Sequence, residues 1–492
     1  MLGGINMSLF THEARKIKFD VLREVAKRSF EGKINLNTID EIATFLLPTH
    51  EAEFRCCVYK EREIIRGNVR LALGQTPNII RIDNTSPTQI VHVLEAACDG
   101  CSIRKITVTD NCRKCMAQAC QASCKFDAIH IGSKKAYIDY SKCKSCGACV
   151  KSCPFNAIVE SERPCVKSCP VGAISMDDHD LCTIDESKCI NCGACQARCP
   201  FGAISDKSFM TDVIHDLNNK EKMVAIVAPS IQGQMGEATL PQIMTSIREL
   251  GFADVIEAAV AADAVADVES KEILHHKKEG IKVTTSCCPA FVNLARIHFP
   301  TVYEKNVSKV VSPMEAMARY IKKQDENTKV VFIGPCVAKK QEAMNDWSVV
   351  DYVLTFEEIA AMITSKGIII SQIEPTLKDI ASAHGKNFAI GGGVSKAVVQ
   401  SLKENNLETV TAKYADGALE CKTNLLMMKV NKFNEDVLEG MACVGGCING
   451  PAAIEAVMKA KQQMAKENAV LKDKTISSTL EIYDFKDIDM HR

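Results

Sequence analysis

Met441-Ala442-Cys443-Val444-Gly445-Gly446-Cys447-Ile448-Asn449-Gly450-Pro451 encloses a Gly-Gly pair between two cysteines, a combination that predicts backbone pressed against a bulky inorganic group. Glycine removes the Cβ atoms that would hold such a group off, and thiolates are the soft ligands that iron–sulfur clusters take. Gly450-Pro451 is expected to open a long terminal helix. Two more cysteine loops lie far upstream: Thr285-Ser286-Cys287-Cys288-Pro289-Ala290 and Gly334-Pro335-Cys336-Val337-Ala338-Lys339-Lys340. Thiols gathered from three such distant loops predict a buried site rather than a local C-x-x-C knot.

The sequence around these loops alternates between strand and helix signals. Residues 223–228, 281–284, 329–333 and 352–354 are short β-rich runs. Ser312-Pro313-Met314-Glu315 and Thr355-Phe356-Glu357-Glu358 read as helix starts. This alternation predicts an α/β domain with largely parallel sheets over residues 209–492. Open α/β sheets bind ligands beyond the carboxyl ends of their strands. Cys288 and Cys336 each follow a strand, so they are expected to meet in one crevice.

Residues 96–208 carry an internal repeat. Four segments, 112–129, 143–158, 165–174 and 189–204, end as CKFDAI, CPFNAI, CPVGAI and CPFGAI. The second and fourth hold full C-x2-C-x2-C-x3-C-P runs: Cys143, Cys146, Cys149, Cys153 and Cys189, Cys192, Cys195, Cys199. In tandem this pattern indicates ferredoxin cubanes rather than zinc, the fourth cysteine of each run reaching the neighbouring cluster. Resemblance to bacterial two-cluster ferredoxins implies one cluster on Cys143, Cys146, Cys149 and Cys199, and another on Cys189, Cys192, Cys195 and Cys153. For the irregular segments, the same crosswise rule gives Cys112, Cys115, Cys120 with Cys169, and Cys98, Cys101, Cys165 with Cys124. A single local cluster on Cys112, Cys115, Cys120 and Cys124 is the alternative, so two to four accessory [4Fe-4S] clusters are expected. Cys182 reads as a spare thiol on a strand.

Residues 1–95 read as a helical region, with Ile17, Val21, Leu22 and Val25 on one face and Thr38-Ile39-Asp40-Glu41 fitting a capping box. Its role is either a docking surface or a packing platform for the cluster domain. Cys56 and Cys57 lack a C-x-x-C companion and are expected not to be ligands. The whole chain has 492 residues, 25 cysteines, 60 Lys+Arg and 61 Asp+Glu. This balance gives no global field for nucleic acid or membrane. With no signal-peptide pattern at the start and no apolar run of membrane length, a cytoplasmic location with reduced thiols is expected.

Together the three distant cysteine loops resemble the signatures of the iron-only, or [FeFe], hydrogenases, over about residues 228–451. The resemblance implies that Cys288, Cys336 and Cys443 bind a cubane and that Cys447 bridges it to a diiron unit with CO, cyanide and a dithiolate, the H-cluster. Ala228-Pro229-Ser230, Met235-Gly236-Glu237, Gly392-Gly393-Val394 and Met441 match the family too. It further implies that Lys339 donates to a cyanide, that Cys287 transfers protons, and that Glu269, Glu272, Ser308 and Glu342 lead outward. For Glu269 and Glu272, an ordinary charged helix face is the equally weighted alternative. Gly334, Phe291, Met314 and Val444 depart from the commonest pattern and suggest a divergent subgroup. The activity implied is reversible H2 oxidation and proton reduction, with ferredoxin as electron carrier and dedicated maturation proteins building the diiron unit. Direct NAD chemistry is not expected. The alternatives are a regulatory H2 sensor or a hydrogenase-like iron–sulfur assembly protein without the diiron unit.

Overall fold

A computed structural model describes residues 12–78, 88–101, 104–378, 380–471 and 473–492. The expectation about the start of the chain falls partly on residues 1–11, outside those described. Two all-parallel sheets form the carboxyl-terminal domain. The first has the order Asp254–Glu257, Met223–Val227, Lys329–Gly334, Tyr352–Thr355. The second places Val437–Met441 between Val283–Thr284 and Ala412–Asp416. The central strand Met223–Val227 is buried along its whole length, as a parallel strand covered on both faces must be.

The 21-residue helix Ala258–Lys278 is alanine-rich and largely buried through its first half. Its small side chains let neighbouring helices approach closely. Thr355 forms the expected capping box with Glu358, and the Ser312 side chain accepts from the Glu315 amide. The Thr38 capping box does not form: the helix Thr38–Leu46 begins at Thr38 itself, whose hydroxyl accepts from the Asn35 amide. Nor does Gly450-Pro451 open the terminal helix, which begins at Val457. Pro451 lies instead in a turn beside the cysteine loop.

The amino-terminal helices are a packing platform. Phe19, Val21, Leu22 and Val25 of Glu13–Phe30 join the same hydrophobic core as the first parallel sheet. Arg15 donates to Glu357 and to the Ala453 carbonyl. Lys18 pairs with Asp206 at 2.7 Å and Glu357 at 2.9 Å, while Lys340, fully buried, pairs with Asp206 at 2.6 Å and Glu358 at 3.1 Å. One buried charge network therefore ties the amino-terminal helix, the cluster region and the α/β domain together.

The cluster region consists of two nested units, and this corrects the expected domain and ligand boundaries. Val91–Val93, which the sequence reading placed in the helical region, pairs antiparallel with Ile204–Asp206. These strands frame a host unit with the hairpin Ile174–Met176 and Cys182–Ile184. A second unit, framed by Ile106–Val108 paired with Ile158–Glu160 and containing the hairpin Ile129–Ile131 and Ala136–Ile138, is inserted between Cys101 and Cys165 of the host. The insert has a hydrophobic core made of its own residues, including Ile106, Ile129, Ile138 and Ile158.

Candidate metal centre

Cys288 caps the helix Pro289–His298 after the strand Val283–Thr284, and Cys336 caps Val337–Ala343 after Lys329–Gly334. Cys443 follows Val437–Met441, and Cys447 opens the short turn Cys447–Asn449. All four line one cavity, together with Cys287, Ala228, Pro229, Ser230, Met441 and Lys339. The three distant loops thus converge as expected. The remaining walls are apolar, including Met314, Phe332 and Phe388. Met235 lies in the core and Glu237 is exposed, so that stretch supports the fold rather than the cavity.

Gly446 has φ +95°, and a Cβ there would stand 2.6 Å from the Gly391 amide nitrogen and 2.7 Å from the Ala389 carbonyl oxygen. The crowding that demands glycine comes from this neighbouring backbone and not only from a bound group. Glu439 fixes that neighbour: its carboxylate, buried within the strand Val437–Met441, accepts from the amides of Gly392 (2.9 Å) and Ser395 (2.8 Å). Sequence reading missed Glu439, although an acid inside an otherwise apolar strand was the available signal.

The donor chemistry fits a multi-iron group. Burial, then charge on Cys288, pushes the Cys336 thiol up to about 12. Burial and the sulfurs of Cys336, Cys288, Cys447 and Cys192 raise Cys443 well above the usual thiol range. Free thiolates so crowded repel one another, and a cationic metal core removes that repulsion. The Ser230 hydroxyl is buried on the cavity wall with no hydrogen-bond partner, a donor available to a bound acceptor. Lys339, the one charged residue on the wall among the described residues, donates to Ser312 Oγ at 2.7 Å and to Glu342 at 2.6 Å. Burial opposes its charge, but Glu342 outweighs this and holds the ammonium above its ordinary range.

Beside the cavity, Cys287 is buried and its thiol is raised well above the usual range, first by burial and then by Glu269. Glu269 is fully buried on Ala258–Lys278, so the charged-face reading of this residue is set aside. Its Oε1 accepts from the Ser286 amide at 3.2 Å. Burial first, and Glu272 second, push Glu269 up to about 8. Ser308 Oγ donates to Glu272 at 2.6 Å, while Glu269 Oε2 is buried without a hydrogen-bond partner among the described residues. Cys287 and Glu269 are thus buried beside the cavity, and Ser308 joins the half-buried Glu272. Glu342 pairs with Lys339 and also lines a separate cleft with Ser286 and Arg492. Arg492, absent from the sequence expectation, donates to the Ser308 carbonyl at 2.8 Å.

In the nested units the thiols group differently from the crosswise scheme read from sequence. Beyond burial, Cys101 is raised by Cys199, Cys165 and Cys98, and Cys199 by Cys165 and Cys98. Cys195 is raised by Cys192, Cys189 and Cys169. In the insert, Cys120 feels Cys153 and Cys112, with Cys115 on the same loop as Cys112, while Cys149 feels Cys143 and Cys124. Cys124, Cys143, Cys146 and Cys149 also share one cavity. These neighbours lie within each unit and not across the two. Among the described residues no three Cys, His, Asp or Glu side chains close to single-ion distance.

The repeated alanine also gains a role. The amides of Ala128, Ala157, Ala173 and Ala203 donate to the sulfurs of Cys124, Cys153, Cys169 and Cys199 at 3.2–3.4 Å. The Ala136 amide donates to Cys112 Sγ and the Cys182 amide to Cys98 Sγ, both at 3.4 Å. Cys182 thus holds in the host the place that Ala136 holds in the insert. Such bonds to cluster sulfurs are one means of setting potential. Cys56 and Cys57 are exposed. Cys199→Ala is expected to perturb the electron paramagnetic resonance of one host cubane and leave the signals of both insert cubanes intact. Loss of an insert signal would restore the sequence-based grouping.

The host meets the central cavity directly, since Cys192 lines it beside Cys288, Cys336, Cys443 and Cys447. Gly193 makes this approach possible: at φ +71°, a Cβ there would lie 2.6 Å from Pro451 Cγ.

Residues 221–451 match the family described as iron only hydrogenase large subunit, C-terminal domain. Residues 136–159 match a 4Fe-4S binding domain and residues 163–203 a 4Fe-4S dicluster domain. Iron hydrogenase 1 of Clostridium pasteurianum is 30% identical over 382 residues, covering 66% of each chain. The chain belongs to the [FeFe]-hydrogenase family. It spans just under two thirds of that relative, and 59% of the NADP-reducing hydrogenase subunit HndD of Solidesulfovibrio fructosivorans, which is 26% identical over 66% of this chain. Protein NAR1 of Arabidopsis thaliana is 22% identical, covering 51% of this chain and 69% of its own. A solved variant of [FeFe]-hydrogenase HydA1 from Chlamydomonas reinhardtii superposes with a TM-score of 0.46 at 19% identity, covering 54% of this chain and 89% of that one. Among the described residues of this family member, no helix is long and apolar enough to cross a membrane.

Proposed function

We propose that this chain is a cytoplasmic [FeFe]-hydrogenase that interconverts H2 with protons and electrons. The observation that carries the reading is the meeting of Cys288, Cys336, Cys443 and Cys447 around one apolar cavity, with Cys287 at its edge and Cys192 in its wall. Cys288, Cys336 and Cys443 would hold a cubane, and Cys447 would link it to a diiron unit. When bound, that H-cluster supplies the centre at which H2 is heterolytically split or formed.

The chain's own residues do the rest. Apolar walls exclude water from the cavity, and Lys339 and Ser230 present donors to the bound group's acceptor ligands. Cys287 Sγ takes or gives the proton, Glu269 exchanges it through Ser308, and Glu272 passes it toward solvent. Proton transfer needs groups that change protonation at modest cost, and a Glu269 carboxyl near 8 is neutral enough at pH 7 to donate. Electrons would leave by the host cubane on Cys169, Cys189, Cys192 and Cys195, then by the second host cubane and the insert, to a ferredoxin-type carrier. Maturation proteins would be required to install the diiron unit.

Likeness to Protein NAR1 favours a second reading, an iron–sulfur assembly protein without the diiron unit. Infrared spectra of the matured chain decide between them: bands of metal-bound CO and cyanide, with H2-dependent dye reduction, are expected. Cubanes without those bands would overturn the hydrogenase reading, and bands with negligible turnover would indicate a sensor.

A further inference from the structure

We propose that the inserted unit is the docking face for a small, acidic, one-electron carrier protein, engaged at the cysteine loop of residues 143–149. The inference rests on the electron-relay reading above and adds the place and chemistry of contact. Residues 104–160 hold ten Lys or Arg against four Asp or Glu, whereas the whole chain carries a net charge of −1. All ten cations are exposed.

Their compensation is uneven. Lys105 pairs with Glu160, Lys135 with Asp110, and Lys142 with Asp127 at 3.5 Å. Among the described residues, Lys125, Lys144 and Lys151 have no carboxylate in ion-pair reach. These uncompensated lysines follow or flank Cys124, Cys143 and Cys149, the buried and half-buried members of one thiol group, whose fourth member, Cys146, is exposed. Lys144, Cys146 and the exposed Phe126 line the cavity of that group.

A redox centre close to solvent, an apolar ring beside it and a rim of unpaired cations make up a contact at which charge steers encounter and a small apolar patch seats the partner. The negative charge of a bound cubane lies inside this rim, so an acidic partner meets the lysines first. The insert's core is made of its own residues, and the lysines that rim this face are exposed.

The test uses the matured full chain and, as probe, a strongly acidic two-cluster ferredoxin. Lys125→Glu, Lys144→Glu and Lys151→Glu are combined. A control combines Lys305→Glu, Lys459→Glu and Lys466→Glu on the α/β domain. At low ionic strength the first variant is expected to raise KM for the ferredoxin roughly tenfold or more with unchanged H2–D2 exchange, and the difference should shrink as salt screens it. Titration of the ferredoxin without H2 is expected to show the same loss of affinity. Unchanged affinity, or an equal loss in the control, overturns the docking face. If the titration shows the loss but H2 oxidation is absent in every variant, the docking face stands and the hydrogenase reading falls.

Discussion

Cys287→Ala is expected to lower H2 turnover by about a hundredfold or more while leaving the CO and cyanide infrared bands and all cubane signals in place. The thiol lies at the cavity and is not needed to hold iron, and positioned acid–base groups contribute roughly 10²–10⁴-fold to rates. Glu269→Gln should cause a loss of the same order, because amide and carboxyl share shape but only one exchanges its proton. Wild-type H2 evolution is expected to fall as pH rises through about 8, where Glu269 loses its proton, and Glu269→Gln should flatten that limb. Stability carries the matching sign. A carboxyl raised in the folded state contributes fully below its unfolded value, near 4.5, and that contribution disappears as pH climbs through 8. Glu269→Gln should therefore gain a few kcal/mol relative to wild type between those limits, read by chemical unfolding. Full turnover in both variants would remove this proton route.

Lys340→Met should cost about 3–5 kcal/mol, the range for breaking one side of a buried ion pair. Its ammonium is fully buried between Asp206 and Glu358, and methionine leaves both acids without it. Burial opposes the ionised form of Asp206, but Lys18 and Lys340 outweigh burial and hold its carboxyl well below the ordinary range. Its share of stability is thus present above the unfolded value, near 4, and lost as pH falls through the folded one. The variant should be less sensitive to acid than wild type in proportion to what it has already lost. Because Asp206 ends the host's framing strand, dye reduction through the relay is expected to slow more than H2–D2 exchange. Equal effects on both would mean that the network stabilises the chain without aligning the relay.

The cysteines were legible because cubane binding leaves a spacing signature that few other sites share. Their grouping was not, because spacing records which thiols share a loop but not which loops are interrupted. Cys101 was read with Cys98, Cys165 and Cys124, whereas in the folded chain it neighbours Cys199 along with Cys98 and Cys165, the segment that holds Cys124 being set apart by the pairing of Ile106–Val108 with Ile158–Glu160. The strands Met223–Val227 and Lys329–Gly334 were visible as continuous apolar runs. Ala412–Asp416 carries Lys413, Tyr414 and Asp416, and Val437–Met441 contains Glu439 and Gly440, so tertiary pairing overrode weak local preference. For Glu269 the sequence left a relay role and a charged helix face evenly weighted, and only the fold, by burying it completely, sets the second aside.

Within the insert's framing pair, the Ser161 amide donates to the Lys105 carbonyl at 2.7 Å, so the points where it enters and leaves the host almost touch. During synthesis Cys98 and Cys101 emerge first and must stay open while an entire cluster-bearing body is made and folded behind them. The same closeness makes the insert an excisable cassette: a tight turn joining residues 104 and 162 should leave the host's own thiols in register and yield a shortened chain in which Cys98, Cys101, Cys165 and Cys199 would hold the outermost of the proposed redox stations.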